Sequence, residues 1–135
     1  MIQEEGEWVA CIKGVSKGNP GASGCGVYVY SPTGKAHILN KFLGRQTANY
    51  ADYSGLILAF QKLSEFGVKK VLVRADSELL IKQMKGEYKV KSDSLKNLFN
   101  FAKKMAANFE SVRFEQISKD RNSQASMLAN ESISN

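Results

Sequence analysis

The stretch Ile12-Lys13-Gly14-Val15-Ser16-Lys17-Gly18-Asn19-Pro20-Gly21 decides how this chain is read. Upstream of it, residues 7–12 alternate, with Trp8, Ala10 and Ile12 on one face, which predicts a strand ending near Lys13. Gly18-Asn19-Pro20-Gly21 then predicts a turn. Residues 23–30 follow as a second strand rich in Val and Tyr. Ser31-Pro32-Thr33-Gly34 places Pro at the second position of a turn, and residues 35–43 return as a third strand. The three together predict an antiparallel meander.

Beyond the meander the apolar period lengthens. Tyr53, Leu56, Ile57, Phe60 and Leu63 share one helical face, with Thr47 as N-cap and Gly67 as the stop. Residues 68–75 carry Val71-Leu72-Val73, suited to a buried strand. Residues 77–85 predict a short helix closed by Gly86. Residues 94–109 predict a longer one, with Leu95, Leu98, Phe99, Ala102, Met105 and Phe109 inward. Residues 111–117 read as a fifth strand, and Asn122 or Ser123 caps a last helix to about Ser132, with Leu128 inward. This order predicts an α/β fold: a five-stranded mixed sheet flanked by helices.

The 135 residues suit one domain, taken as 1–135, with enough buried surface to fold without a disulfide or metal. No apolar run is long enough to span a bilayer. The start of the chain lacks the apolar core of a signal peptide, so a cytoplasmic protein is expected. Cys11 and Cys25 fall on neighbouring strands and are expected as buried thiols. The formal net charge is +6. Much of it is local: Lys82, Lys85, Lys89, Lys91, Lys96, Lys103 and Lys104 face only Glu87 and Asp93. Such a cluster is either a solvated surface or an attractor of phosphates.

Four motifs resemble those of type 1 ribonuclease H, in order and at matching spacing, from about Trp8 to Ser132. Lys13-Gly14 followed by Ser16-Lys17-Gly18-Asn19-Pro20-Gly21 is similar to the family's Asp-Gly and Ser-x-Gly-Asn-Pro-Gly. Thr47-Ala48-Asn49-Tyr50-Ala51-Asp52-Tyr53 resembles its Thr-Asn-x-x-Ala-Glu-Tyr element. Arg74-Ala75-Asp76-Ser77 resembles Arg-x-Asp-Ser. Asn122-Ser123-Gln124-Ala125-Ser126 resembles Asn-x-x-Ala-Asp. The resemblance implies the ribonuclease H-like fold. It also implies a site that cuts the RNA strand of RNA–DNA hybrids with two divalent ions, Mg²⁺ or Mn²⁺, roughly 4 Å apart.

At the four positions where the family places metal-binding carboxylates, this chain has Lys13, Asp52, Asp76 and Ser126. Hard divalent ions need several anionic oxygens. Lys13 and Ser126 remove two and add a cation, so no bound metal or other cofactor is expected, with Asp52 and Asp76 the residual candidates. An inward Lys13 would pair with Asp76. Lys119-Asp120 has no clear equivalent of the residue that aids product release in the family. By resemblance, Asn19 and Asn49 match readers of RNA 2′-hydroxyls. Arg45 and Thr47 match a DNA-phosphate pocket, Ser92 a weaker contact, and Lys89 and Lys91 belong to the basic segment. His37 reads as an ordinary strand histidine, and Trp8, Tyr28 and Tyr30 as packing residues. The expected function is binding of RNA–DNA hybrid or structured RNA without two-metal hydrolysis. Two alternatives stand beside it: a protein-interaction scaffold keeping only the fold, and an active hybrid ribonuclease with a rearranged metal site.

Overall fold

The computed structural model describes residues 5–134. Strands β1 (Glu7–Gly18), β2 (Gly21–Tyr30) and β3 (Ala36–Gln46) lead into helix α1 (Ala48–Glu65). After β4 (Lys70–Ala75) come α2 (Glu78–Met84), α3 (Asp93–Ala106), β5 (Ser111–Gln116), a single 3-10 turn (Lys119–Asn122) and α4 (Ser123–Ile133). The sheet order is β3-β2-β1-β4-β5. β1 pairs antiparallel with β2 and parallel with β4, β2 pairs antiparallel with β3, and β4 runs parallel to β5. The five-stranded mixed sheet read from the sequence is therefore present.

β1 differs from its expected extent in a way that shapes the site. It does not stop near Lys13 but continues to Gly18, paired with β2 throughout. Its pairing with β4 covers only Glu7 to Cys11. Past that point β1 and β4 part, and a cleft opens where the parallel ladder ends. Extending the Cys11–Arg74 register by two residues sets Lys13 across from Asp76.

Helices cover both faces. Ala10, Ile12, Val27 and Val29 are buried beneath α1, which contributes Tyr53, Leu56, Phe60 and Leu63. Here α1 reaches the sheet backbone itself: a Cβ on Gly14 would overlap the Asp52 nitrogen and Ala51. On the opposite face α4 crosses β2, where a Cβ on Gly26 would overlap the Ala125 carbonyl oxygen. Helix α3 ends at Ala106, so Phe109 is buried from the loop that follows and not from the helix. Both cysteines are buried and free. Cys25 faces α1, against Gly55, whereas Cys11 alternates with the α1-facing Ile12 and points to the other side. The sheet lies between the two thiols. His37 is a packing residue, its ring 4.6 Å from Phe66 and 6.1 Å from Trp8. No helix among the described residues is long and apolar enough to cross a membrane.

Candidate functional site

Lys13 points inward. Its Nζ lies 2.7 Å from Asp76 Oδ1, with the two side chains only 17% and 7% exposed. An ion pair this desolvated is maintained only when its remaining lone pairs are also satisfied. Asn122 supplies that bond: its Nδ2 donates to Asp76 Oδ2 at 3.0 Å and to the Ile12 carbonyl at 2.9 Å. Turning the carboxamide over would set oxygen against two oxygens, so the orientation is fixed by its neighbours. Asn122 is 1% exposed, and its Oδ1 has no partner among the described residues. The expected cap is thereby corrected: Asn122 occupies the N-cap position of α4, but its side chain makes no capping bond. It is spent on the β1–β4 cleft.

Asp52 approaches from α1. Its Oδ1 accepts the Gly14 N–H at 2.8 Å, a contact possible because Gly14 has no side chain to hold the helix away. Burial pushes the Asp52 carboxyl up to about 7. The Gly14 N–H and the Lys13 ammonium pull the other way, Asp76 pushes with the burial, and the Ser77 hydroxyl helps the charged form slightly. Ser126 lies on α4 directly after Ala125, whose carbonyl sits over Gly26. Gly26 is the register partner of Lys13; Ser126, one residue further along α4, is half-buried and carries a neutral hydroxyl.

These donors do not fit a pair of divalent ions. Both oxygens of Asp76 and one of Asp52 already accept hydrogen bonds, and an ammonium occupies the space between strands. Among the described residues no group of three or more His, Cys, Asp or Glu side chains could hold a metal.

The positions matched to substrate contacts fall into two groups. Asn19, Arg45, Thr47 and Asn49 are brought together where the β1–β2 turn meets the end of β3 and the start of α1. The Ser16 and Ser23 hydroxyls lie 2.9 and 2.8 Å from the Gln46 carbonyl and bind these segments to one another. Asn19 Oδ1 accepts from the Ala48 N–H at 3.0 Å, and Thr47 Oγ1 accepts from the Tyr50 N–H at 3.1 Å. Two otherwise unpaired amides of the α1 N-terminus are thus satisfied. A bulge at Ser23/Gly24 and the left-handed Gly44 (φ +73°) turn the end of β3 so that Arg45 is exposed beside them. Lys89, Lys91 and Ser92 form the second group, exposed on the α2–α3 connection. Ser92 bonds the Ser94 hydroxyl and not a helix amide. Gln83 ties this connection to α1, accepting from Tyr53 Oη at 2.7 Å and donating to the Lys89 carbonyl at 3.4 Å. Among the clustered lysines, Lys82 and Lys96 have ion-pair partners in Glu78 and Asp93. Lys85, Lys89, Lys91, Lys103 and Lys104 have none among the described residues.

Comparison with known proteins bears on the family and the fold. The profile of the reverse transcriptase-like family matches residues 11–132. The chain belongs to this ribonuclease H-like family. The domain is 34% identical over 122 residues to the bifunctional protein Rv2228c of Mycobacterium tuberculosis, covering 89% of this chain. It spans about a third (34%) of the length of that relative. Among solved structures, RNase H1 of the archaeon Halobacterium salinarum superposes with a TM-score of 0.90 at 30% identity, covering 94% of this chain and 97% of that one. LC11-RNase H1, solved in complex with RNA/DNA hybrid, gives 0.88 at 34% identity, covering 93% and 96%. Within this ribonuclease H-like domain, sequence reasoning missed Asn122, Gly14 and Ser77 as parts of the site. Asn122 stands inside the last of the four motifs, where local pattern points only to a helix cap, the commoner use of Asn before a helix.

Proposed function

We propose that this ribonuclease H-like domain binds RNA–DNA hybrid or structured RNA and does not perform two-metal hydrolysis. The observation that carries the reading is the Lys13–Asp76 contact of 2.7 Å. One ammonium neutralises Asp76, and Asp52, raised to about 7, is only partly ionised near neutrality. A phosphate entering the cleft meets a site close to neutral, so it needs no divalent ion to screen it. Arg45 and Thr47 offer a guanidinium and a hydroxyl suited to phosphate oxygens. Asn49 and Asn19 offer carboxamide groups to 2′-hydroxyls. Because Asn19 Oδ1 is held by Ala48, its amide N–H₂ is the group that faces a ligand. The hybrid bound by LC11-RNase H1 supports the choice of ligand.

The test is a titration of labelled RNA–DNA hybrid, DNA duplex and RNA duplex at several salt concentrations, with and without Mg²⁺ or Mn²⁺, with products examined for cleavage. Binding should fall steeply with salt, need no divalent ion, and leave the nucleic acid intact. Arg45→Ala should weaken it by about 1–3 kcal/mol. Asn49→Ala should reduce the preference for hybrid over DNA duplex and is cleaner than Asn19→Ala, which also uncaps α1. Metal-dependent cleavage to a 3′-hydroxyl product would reinstate the active nuclease. Absence of binding at low salt would leave the protein-interaction scaffold.

A further inference from the structure

A cavity of about 270 Å³ opens on the α4 side of the sheet, lined by Cys11, Tyr28, Tyr30, Arg74, Arg121 and Gln124, with Ile117 as its apolar floor. None of Lys13, Asp52, Asp76, Asn122 and Ser126 lines it. Cys11 and Arg74 precede Lys13 and Asp76 by two residues along their strands, so the cavity lies one step along the same side of the sheet.

Its chemistry is specific. Arg74 is held on two sides: Nε donates to Glu115 at 2.6 Å and Nη1 to Tyr30 Oη at 3.1 Å. Its Nη2 meets no protein acceptor among the described residues. Arg121 is exposed and has no ion-pair partner among them. No carboxylate lines the cavity. Glu115 offsets the charge of Arg74, which leaves Arg121 as the uncompensated cation. Burial pushes the Cys11 thiol up, so it adds no negative charge. The Tyr28 and Tyr30 rings stand 5.9 Å apart, inclined at 53°, and present aromatic surface beside the two guanidinium groups. Gln124 adds a carboxamide, a donor and an acceptor for a planar heterocycle's edge.

We infer that this cavity is a binding site for a single nucleotide unit: an aromatic base against Tyr28 and Tyr30, with its phosphate held by Arg74 and Arg121. The volume lies just below the usual range of ligand sites, which limits the occupant to about one nucleotide and excludes a duplex. Stacking on aromatic side chains tolerates any base, and planar guanidinium groups match phosphate oxygens. The unit is either a free nucleoside monophosphate or the phosphorylated end of a strand. The inference does not depend on hybrid binding, because none of these residues belongs to the Arg45–Asn49 group.

Titration of the isotope-labelled protein with adenosine monophosphate, adenosine and inorganic phosphate, followed by amide shifts, tests it. The monophosphate should saturably shift amides in residues 28–30, at 74 and in 119–124. Adenosine or phosphate alone should bind at least about tenfold more weakly, the scale of one lost charged hydrogen bond. Arg121→Ala, an exposed change that leaves the core intact, should weaken the monophosphate about tenfold, and Tyr28→Leu should weaken adenosine and monophosphate alike. A 5′-phosphorylated dinucleotide binding more tightly than the monophosphate assigns the strand end; equal or weaker binding assigns the free nucleotide. The inference is overturned if no saturable shift occurs at these amides, if phosphate alone binds as tightly as the monophosphate, or if Arg121→Ala changes nothing.

Discussion

Replacing Asp52 by Asn tests the electrostatics of the cleft most directly. The amide keeps the oxygen that accepts the Gly14 N–H and removes only the titration. In the folded protein the Asp52 carboxyl titrates at about 7, against an ordinary value of 3.8. The folded state therefore holds a proton that the unfolded chain releases once the pH exceeds about 4. Stability falls as pH rises through that window, because the folded state binds more protons than the unfolded one. The gap corresponds to about 4 kcal/mol, accumulated at up to about 1.4 kcal/mol per pH unit. Urea unfolding of wild type and Asp52→Asn between pH 4 and pH 8 measures it. The two should differ little near pH 4, and the Asn variant should gain steadily until it leads by about 4 kcal/mol near pH 8. A difference that stays flat with pH, or one in which wild type gains with rising pH, would refute the reasoning. It would mean that Lys13 and the Gly14 amide outweigh burial and hold Asp52 ionised.

Lys13→Asp, Ser126→Asp and Asp52→Glu together restore the carboxylate count that the family resemblance implies. Calorimetry should then register Mg²⁺ or Mn²⁺ binding absent from wild type, and its failure would mean that the cleft has diverged beyond those residues. Gly14→Ala should destabilise the fold by about 3 kcal/mol or more, because its Cβ would overlap the α1 backbone at Ala51 and Asp52; a denaturant midpoint unchanged from wild type would show that α1 shifts freely.

The fold was legible because its signals are local and repeated. Alternation in Trp8, Ala10 and Ile12, the 3.6-residue period from Tyr53 to Leu63, and the Gly-Asn-Pro-Gly turn each specify an element without reference to the rest. The inward pairing of Lys13 was also legible, since a cation among carboxylate positions has few other stable arrangements. Less visible were contacts between residues far apart in sequence. Asn122 bonds Ile12 and Asp76 across separations of 110 and 46 residues, and local pattern suggested only a cap. The full length of β1 was hidden for a different reason. Residues 13–18 carry Lys, Gly and Ser where strand formers are expected, and their strand conformation comes from pairing with β2. Tyr28 and Tyr30 read as packing residues because alternation identifies the side of a sheet, not whether a helix covers it. α4 begins too late to cover them.

The Lys13–Asp76 pair also constrains how this sequence can change. Lys13→Asp alone would place a second carboxylate where the ammonium now sits, beside Asp76 and near Asp52, with no cation between them. Ser126→Asp alone would add an anion to a cleft whose one ammonium is already engaged. Each substitution is favourable only in the company of the others and of a bound ion, so the metal-binding and ammonium-paired arrangements are separated by less stable intermediates. Single-step mutation would be held on the present side of that divide even if selection favoured the other. The pairing acts as a latch against single substitutions as well as between two chain segments.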